Sequence, residues 1–474
     1  MPQLRDTSRY MIQTPPDRLR RPTVRLQPVL AKRGEPNIDL EALAKGVRGV
    51  AELADLVAIE SPEHWSQVIG GLGPEVDGIL PVSITAYPTE VWNSHPQPLV
   101  ARGLPFVFWS ILKYDEPDFW RWSARDFLRT LGVDVHLVKN QRHGLALLRA
   151  LGMKRFLRGT RIVVFGEQNF PWNAHAIGHL VRERLGTEIV VRPLSDIRSR
   201  AAALADREVD ALWRERRGRY VEKTVRPEEL RQAVRTYLAI RGILKEDGAL
   251  GMGVNCFGDL IIRGGRDVPC LAQTLLREDG YIASCDGDFL AMMCMVLATF
   301  FLDKPCMMSN LYPVSYVGAL KDHFGDPLSP DAARYPRESW KNLARLGHCG
   351  FVGVVSPEMD PSGKADLHDW GGTYEIKRDG RGCGNAAELA GGETMTALEL
   401  KFDAHTLLIA GGKVCETTHH AGMPHCEKTA LLEFRDLEGF VENVSREHAV
   451  VVYGDHVADF EVLCGVLGLD GKVF

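Results

Sequence analysis

The sequence predicts an α/β protein: two doubly wound, Rossmann-like parallel-sheet domains followed by a mainly β carboxy-terminal domain. Three observations carry this. From about residue 38, short apolar runs alternate with segments of helical spacing, the pattern of βαβ units. Between residues 161 and 191 a strand, a turn, a helix and a second strand follow one another at the spacing of a doubly wound unit. Beyond Tyr335 glycine becomes frequent and short Val/Leu runs recur, as in a β domain. At roughly 150 residues per domain, 474 residues make about three domains. The expected borders are 1–35 for an amino-terminal arm, 36–157 for the first α/β domain, 158–330 for the second and 331–474 for the β domain.

The arm is basic: Arg5, Arg9, Arg18, Arg20, Arg21, Arg25, Lys32 and Arg33 face only Asp6, Asp17 and Glu35. No apolar stretch follows, so a secretory signal is not expected. Pro15, Pro16, Pro22 and Pro28 break any long helix there, and the segment reads as an arm laid on a neighbouring subunit. Leu40 to Leu56 has helical spacing. Gly78 to Val82, Leu104 to Trp109 and Val133 to Val138 read as buried strands, with helical stretches at Phe127 to Leu131 and Gly144 to Leu151.

In the second domain, Arg161 to Gly166 is a strand, Asn173 to Leu185 a helix and Gly186 to Val191 the next strand. The turn Gly166-Glu167-Gln168-Asn169-Phe170-Pro171 lacks Gly-x-Gly-x-x-Gly, so a dinucleotide site has little support. Ligands in such sheets still gather at the carboxyl ends of the strands. That nominates Glu167, Gln168, Asn169 and Trp172 as substrate-binding residues, against the plainer reading of a polar loop with an aromatic lid. Ala202 to Leu212 and Pro227 to Leu244 read as helices, and Leu250 to Cys256 as a small-residue strand. Phe289 to Leu302 is apolar throughout, too short for a membrane span and suited to a buried helix. Phe351 to Val355, Thr396 to Phe402, His405 to Ile409, Ala430 to Phe434 and Ala449 to Tyr453 are the later strands.

With 57 Lys+Arg against 62 Asp+Glu, a broad basic surface for nucleic acid is excluded. All ten cysteines lie from Cys256 onward. Cys294, Cys306 and Cys464 sit inside apolar runs, where free thiols act as small hydrophobes. A reducing, cytoplasmic protein without membrane attachment is expected.

Chemistry concentrates in Cys285-Asp286-Gly287-Asp288, directly before the apolar helix. One acid is an obvious helix cap; alternatively a carboxylate there binds a divalent cation, Mn or Mg in preference to softer ions. Asp259 lies just past the small-residue strand, as a strand-end site residue or a plain loop acid. Cys415, His419, His420, His425 and Cys426 match no standard zinc spacing. His348 stands at a loop-to-strand boundary.

The run Arg446-Glu447-His448-Ala449-Val450-Val451-Val452-Tyr453-Gly454-Asp455-His456, with Phe460 to Gly468 after it, resembles the closing segment of the L-fucose isomerase/L-arabinose isomerase superfamily. Asp279 to Phe289 resembles that family's second metal-carboxylate segment, and Leu346-Gly347-His348-Cys349-Gly350 an active-site loop. The resemblance implies a divalent-metal aldose–ketose isomerase working on a free sugar through an enediol, usually with Mn2+ and otherwise with Mg2+ or Co2+. It implies Asp259, Asp288 and His448 as metal ligands, with Asp259 and Asp288 also catalytic. His348 then faces substrate or adds a ligand, and Asp286 supports the ligands from behind or caps the helix. A homo-oligomer, trimer or hexamer, is implied as well. The family has Glu where this chain has Asp259. That departure keeps open an epimerase or retro-aldol enzyme on the same scaffold, or a sugar-binding paralogue without catalysis.

Overall fold

The structure, a computed structural model, describes residues 20–31, 38–82, 91–109, 120–168, 171–256, 258–260, 268–316, 334–348, 354–370, 382–418 and 428–474. They divide into two compact units, residues 21–156 and the residues from Leu157 onward with Arg20.

The first unit holds β1 (Val24–Ala31), β2 (Ala51–Leu53), β3 (Val57–Ile59), β4 (Gly78–Pro81), β5 (Phe106–Phe108) and β6 (Val135–Leu137). They run in the order β2-β1-β4-β5-β6, with β3 also on β1, and every pairing is parallel. Val29, Ile79 and Phe106 from the sheet pack with Trp65, Ile69, Trp92 and Leu128 from the helices. The Pro62–Gly71 helix starts on the Ser61 hydroxyl, with Pro at its first position.

Two expectations are corrected here. Residues 24–31, read as part of an arm, form the central strand β1. A proline inside a strand argues against it, but Pro28 falls between the stretches where β2 and β3 pair, at Val24 to Leu26 and Val29 to Ala31. Its missing N–H faces that gap, and Gln27 Nε2 fills it, donating to the Pro28 carbonyl at 3.0 Å and to the Asp55 carbonyl at 2.7 Å. Secondly, the helix from Leu40 stops at Gly46. Gly49 takes a left-handed φ of 82°, and the chain re-emerges extended as β2.

The second unit opens with β7 (Arg161–Phe165), β8 (Glu188–Arg192), β9 (Tyr220–Glu222), β10 (Gly251–Val254) and β11 (Ile282–Ser284). Four of them make a parallel sheet in the order β11-β10-β7-β8. Gly251 is small for a reason: a Cβ there would stand 2.0 Å from the Ile282 carbonyl. The Ala174–Leu185 helix is capped by Asn173 Oδ1. The helix expected over Ala202 to Leu212 is two helices, Leu194–Ala203 and Asp206–Arg216. Leu204 and Ala205 are extended between them, and Glu208 reaches back to accept the Ala205 amide at 3.1 Å, which restarts the helix.

The chain continues through β12 (Cys306–Pro313), β13 (Leu343–Gly347), β14 (Ala365–Asp369), β15 (Cys383–Ala386), β16 (Thr394–Leu400), β17 (Thr406–Thr418), β18 (Thr429–Phe434), β19 (His448–Tyr453) and β20 (Asp470–Val473). The order is β16-β19-β12-β13-β18-β17, and β16 pairs with β17, closing an antiparallel barrel on which β20 adds parallel to β17. The mainly β domain is therefore a barrel filled by Leu346, Val414, Leu432, Val451 and their neighbours. β15-β14-β9 form a small separate sheet. All 14 residues of the Phe289–Leu302 helix are buried, packed on β11, β12, β16 and β19. The eight described cysteines are unpaired. No described helix is long and apolar enough to cross a membrane.

Candidate metal centre

Three neighbouring strands, β7, β10 and β11, end side by side, and their carboxyl-end turns carry Gly166 to Gln168, Asn255 to Asp259 and Cys285 to Asp288. The last turn is the tightest. Asp286 has a left-handed φ of 57° and Gly287 of 73°. Such a conformation is uncommon for a residue with a side chain, though aspartate tolerates it better than most. Asp286 N donates to Cys256 Sγ at 3.3 Å, and the Cys256 thiol donates to Asp286 Oδ1 at 3.4 Å.

The barrel supplies two imidazoles. Asn310 of β12 is paired with Gly347 on one side and with His448 on the other. His348, one residue past β13, and His448, the first residue of β19, thus meet at one end of the barrel with ring centroids 5.4 Å apart. Asp286 Oδ2 lies 3.1 Å from His348 Nε2 and 3.5 Å from His448 Nε2. Asp286, His348 and His448 offer ligand atoms all within 4.8 Å of one another, a group able to hold a metal ion among the described residues.

Asp288 serves this group from behind. Its Oδ1 accepts the Leu290 and Ala291 amides at 3.0 and 2.9 Å, capping the buried helix. Its Oδ2 accepts Arg446 Nε at 2.6 Å and lies 2.8 Å from His448 Nδ1. Both carboxylate oxygens are therefore committed. The structure places Asp286, expected as support, in the group, and Asp288, expected as ligand, on the helix cap and against His448 Nδ1. A metal-binding histidine usually gives its second ring nitrogen to a carboxylate in this way. One carboxylate and two imidazoles suit a divalent first-row ion, so the donors present fit the implied divalent cofactor.

Electrostatics follow the contacts. Burial would raise the Asp286 pKa, but His348 and then His448 outweigh it and hold the carboxyl well below its ordinary value. For Asp288 burial is again the largest influence, and Arg446 with His448 overcomes it, giving about 2. His448 loses by burial but gains more from Asp286 and Asp288, rising to about 9.

The other nominated residues sit around this group. Trp172 Nε1 donates to the Asp286 carbonyl at 2.7 Å, and its ring lies 4.9 Å from that of His448. Asp259 Oδ2 accepts the Glu167 amide at 2.7 Å, so Asp259 binds the β7 turn and does not join the ligand group. Glu167 gives its carbonyl to Asn255 Nδ2 at 3.0 Å. Gln168 is used locally, its Nε2 donating to the Gly166 carbonyl and its Oε1 accepting the Ala174 amide. Asn169, Cys349, His419, His420, His425 and Cys426 lie outside the described residues. Sequence reasoning assigned nothing to Asn255, Cys256, Glu399 or Arg446. The only signal for Arg446 was a charge two residues before a histidine, at the head of an apolar strand.

No curated protein matches the chain. Residues 179–301 match the family described as the L-arabinose isomerase central domain. That stretch contains the Asp286 turn and all but the last residue of the buried helix behind it, and the match supports a sugar isomerase of the L-fucose/L-arabinose isomerase superfamily.

Proposed function

We propose that the protein is a divalent-metal-dependent aldose–ketose isomerase acting on a free sugar of the fucose or arabinose type, with Mn2+ as the preferred ion. The observation that carries this reading is the convergence of Asp286, His348 and His448 beside Trp172, with His448 Nδ1 held by Asp288. The ion, when bound, acidifies the proton α to the sugar carbonyl and stabilises the oxyanion that develops. Asp286, His348 and His448 hold it. Asp288 keeps His448 in the ligating orientation. Trp172 covers the His448 side of the centre and shields it from water. Asp259, anchored on the Glu167 amide, is the acid/base that carries the proton between C1 and C2. Domain borders near residues 157 and 330, a homo-oligomeric assembly and a cytoplasmic location belong to the same reading.

A second reading is favoured by one observation. Asp259 stands where the family has Glu, and its carboxylate spends one oxygen on the β7 turn. An acid/base with altered reach suits epimerisation or retro-aldol cleavage on the same centre. Incubation with L-fucose, L-arabinose and related aldoses in heavy water with Mn2+, followed by NMR, decides between them. Deuterium at C2 with an aldose–ketose pair is the expected result, and Asp286→Asn should lower turnover about a hundredfold or more. Exchange at C2 without a ketose transfers the case to the second reading. Tight sugar binding without turnover under any metal would sink both and leave a binding paralogue.

A further inference from the structure

We propose that Arg446 is the positioning residue of the centre: its guanidinium holds the Asp288 carboxylate against His448 Nδ1 and so fixes the imidazole whose Nε2 faces Asp286. This rests on the metal reading above. Arg446 Nε donates to Asp288 Oδ2 at 2.6 Å, the same oxygen that faces His448 Nδ1 at 2.8 Å. One carboxylate oxygen thus joins a fixed cation to the ligand. The guanidinium is itself anchored on the barrel: Nη1 donates to the Leu400 carbonyl at 2.7 Å and lies 3.6 Å from Glu399 Oε1. Glu399 Oε1 in turn accepts the Ser445 amide at 2.6 Å, tying down the residue before Arg446. The Arg446, Asp288 and Glu399 side chains are at most 1% exposed.

A purely structural role explains this poorly. Buried ion pairs are costly to desolvate, and apolar residues of similar volume often serve stability as well or better. Among the described residues, this network even leaves Arg446 Nη2 and Glu399 Oε2 without hydrogen-bond partners. Its geometry makes sense at the ligand: the helix amides hold Asp288 Oδ1, and the guanidinium holds Oδ2, the oxygen that meets His448 Nδ1. Arg446 lies two residues before His448, in the bend that leads into β19, and both reach the same carboxylate.

The test is Mn2+ titration of the metal-stripped full chain by calorimetry, with Co2+ absorption spectra as a report of ligand geometry. Wild type, Arg446→Met, Arg446→Lys and Asp286→Asn are compared, with melting curves of the stripped proteins as a folding control. Arg446→Met is expected to weaken Mn2+ binding about 10- to 100-fold and to change the Co2+ spectrum. Arg446→Lys, which keeps the charge but not the fork, should fall between. If Arg446→Met does not fold, Arg446→Lys decides by the same criterion. A folded Arg446 variant that binds Mn2+ within twofold of wild type with an unchanged Co2+ spectrum overturns the proposal while Asp286→Asn still abolishes binding. If wild type binds no divalent ion, or Asp286→Asn binds as wild type does, the metal reading itself fails and takes this inference with it.

Discussion

Gly166 has no room for a side chain. Its φ is 100°, and a Cβ built there would stand 2.3 Å from Asp259 Oδ2. Gly166→Ala is expected to cost about 1–3 kcal/mol in urea denaturation, with Asp259 displaced. A different residue-scale effect lies at Glu278, whose buried side chain stands 3.2 Å from Arg219 Nη1 and 3.5 Å from Arg216 Nη1. Among the described residues, neither of its oxygens has an aligned hydrogen-bond donor. Burial outweighs the arginines and pushes its pKa up from 4.5 to about 7. The folded protein therefore holds this proton more tightly than the unfolded chain. The contribution is fully present below about pH 4.5 and is lost as pH rises through about 7, on the order of 3 kcal/mol at most. Urea denaturation at pH 5 and pH 8 should show Glu278→Gln losing less stability than wild type over that interval; an equal or larger loss would refute the assignment. The site's own residues were half legible. His448, His348 and the Asp286–Asp288 pair could be named from sequence. Which aspartate faces the imidazoles could not, because that depends on two successive left-handed residues, which no spacing rule reveals.

Elements with one dominant signal were legible nearly to the residue. The Phe289–Leu302 helix announced itself by an unbroken apolar run, and its burial on every face follows from the absence of a polar stripe. Leu297→Ala within it should cost about 2–5 kcal/mol in a denaturant titration; a loss under about 1 kcal/mol would mean the helix is less tightly packed than described. Elements whose signal comes from their partners were not legible. β1 is hidden by Pro22 and Pro28, and only the gap between β2 and β3 makes room for Pro28. The split between Leu194–Ala203 and Asp206–Arg216 depends on the extended backbone of Leu204 and Ala205, which no breaker residue marks. Four of the barrel's strands, β16 to β19, could be listed, but β12 and β13 could not, and Val354 and Val355 of the expected Phe351 to Val355 strand are not in a strand.

At the scale of the whole molecule, the proposed ligands come from residues 286, 348 and 448. An unfolded chain holds no such group, so a cation that binds it stabilises only the folded form. Saturating Mn2+ at about a hundred times its dissociation constant should add about 2.7 kcal/mol and raise the melting midpoint by a few degrees. Scanning fluorimetry of stripped protein with and without Mn2+ measures this. Asp286→Asn should show no such rise, and an equal rise in that variant would count against the site.

The two histidines take their places from Asn310, which β13 and β19 flank. A one-residue slip of β19 would turn His448 to the other face, so register there is intolerant of change. The proposed ion-holding geometry is thus set by three adjacent strands, β13, β12 and β19, and whatever preserves those two pairings preserves the place where the imidazoles meet.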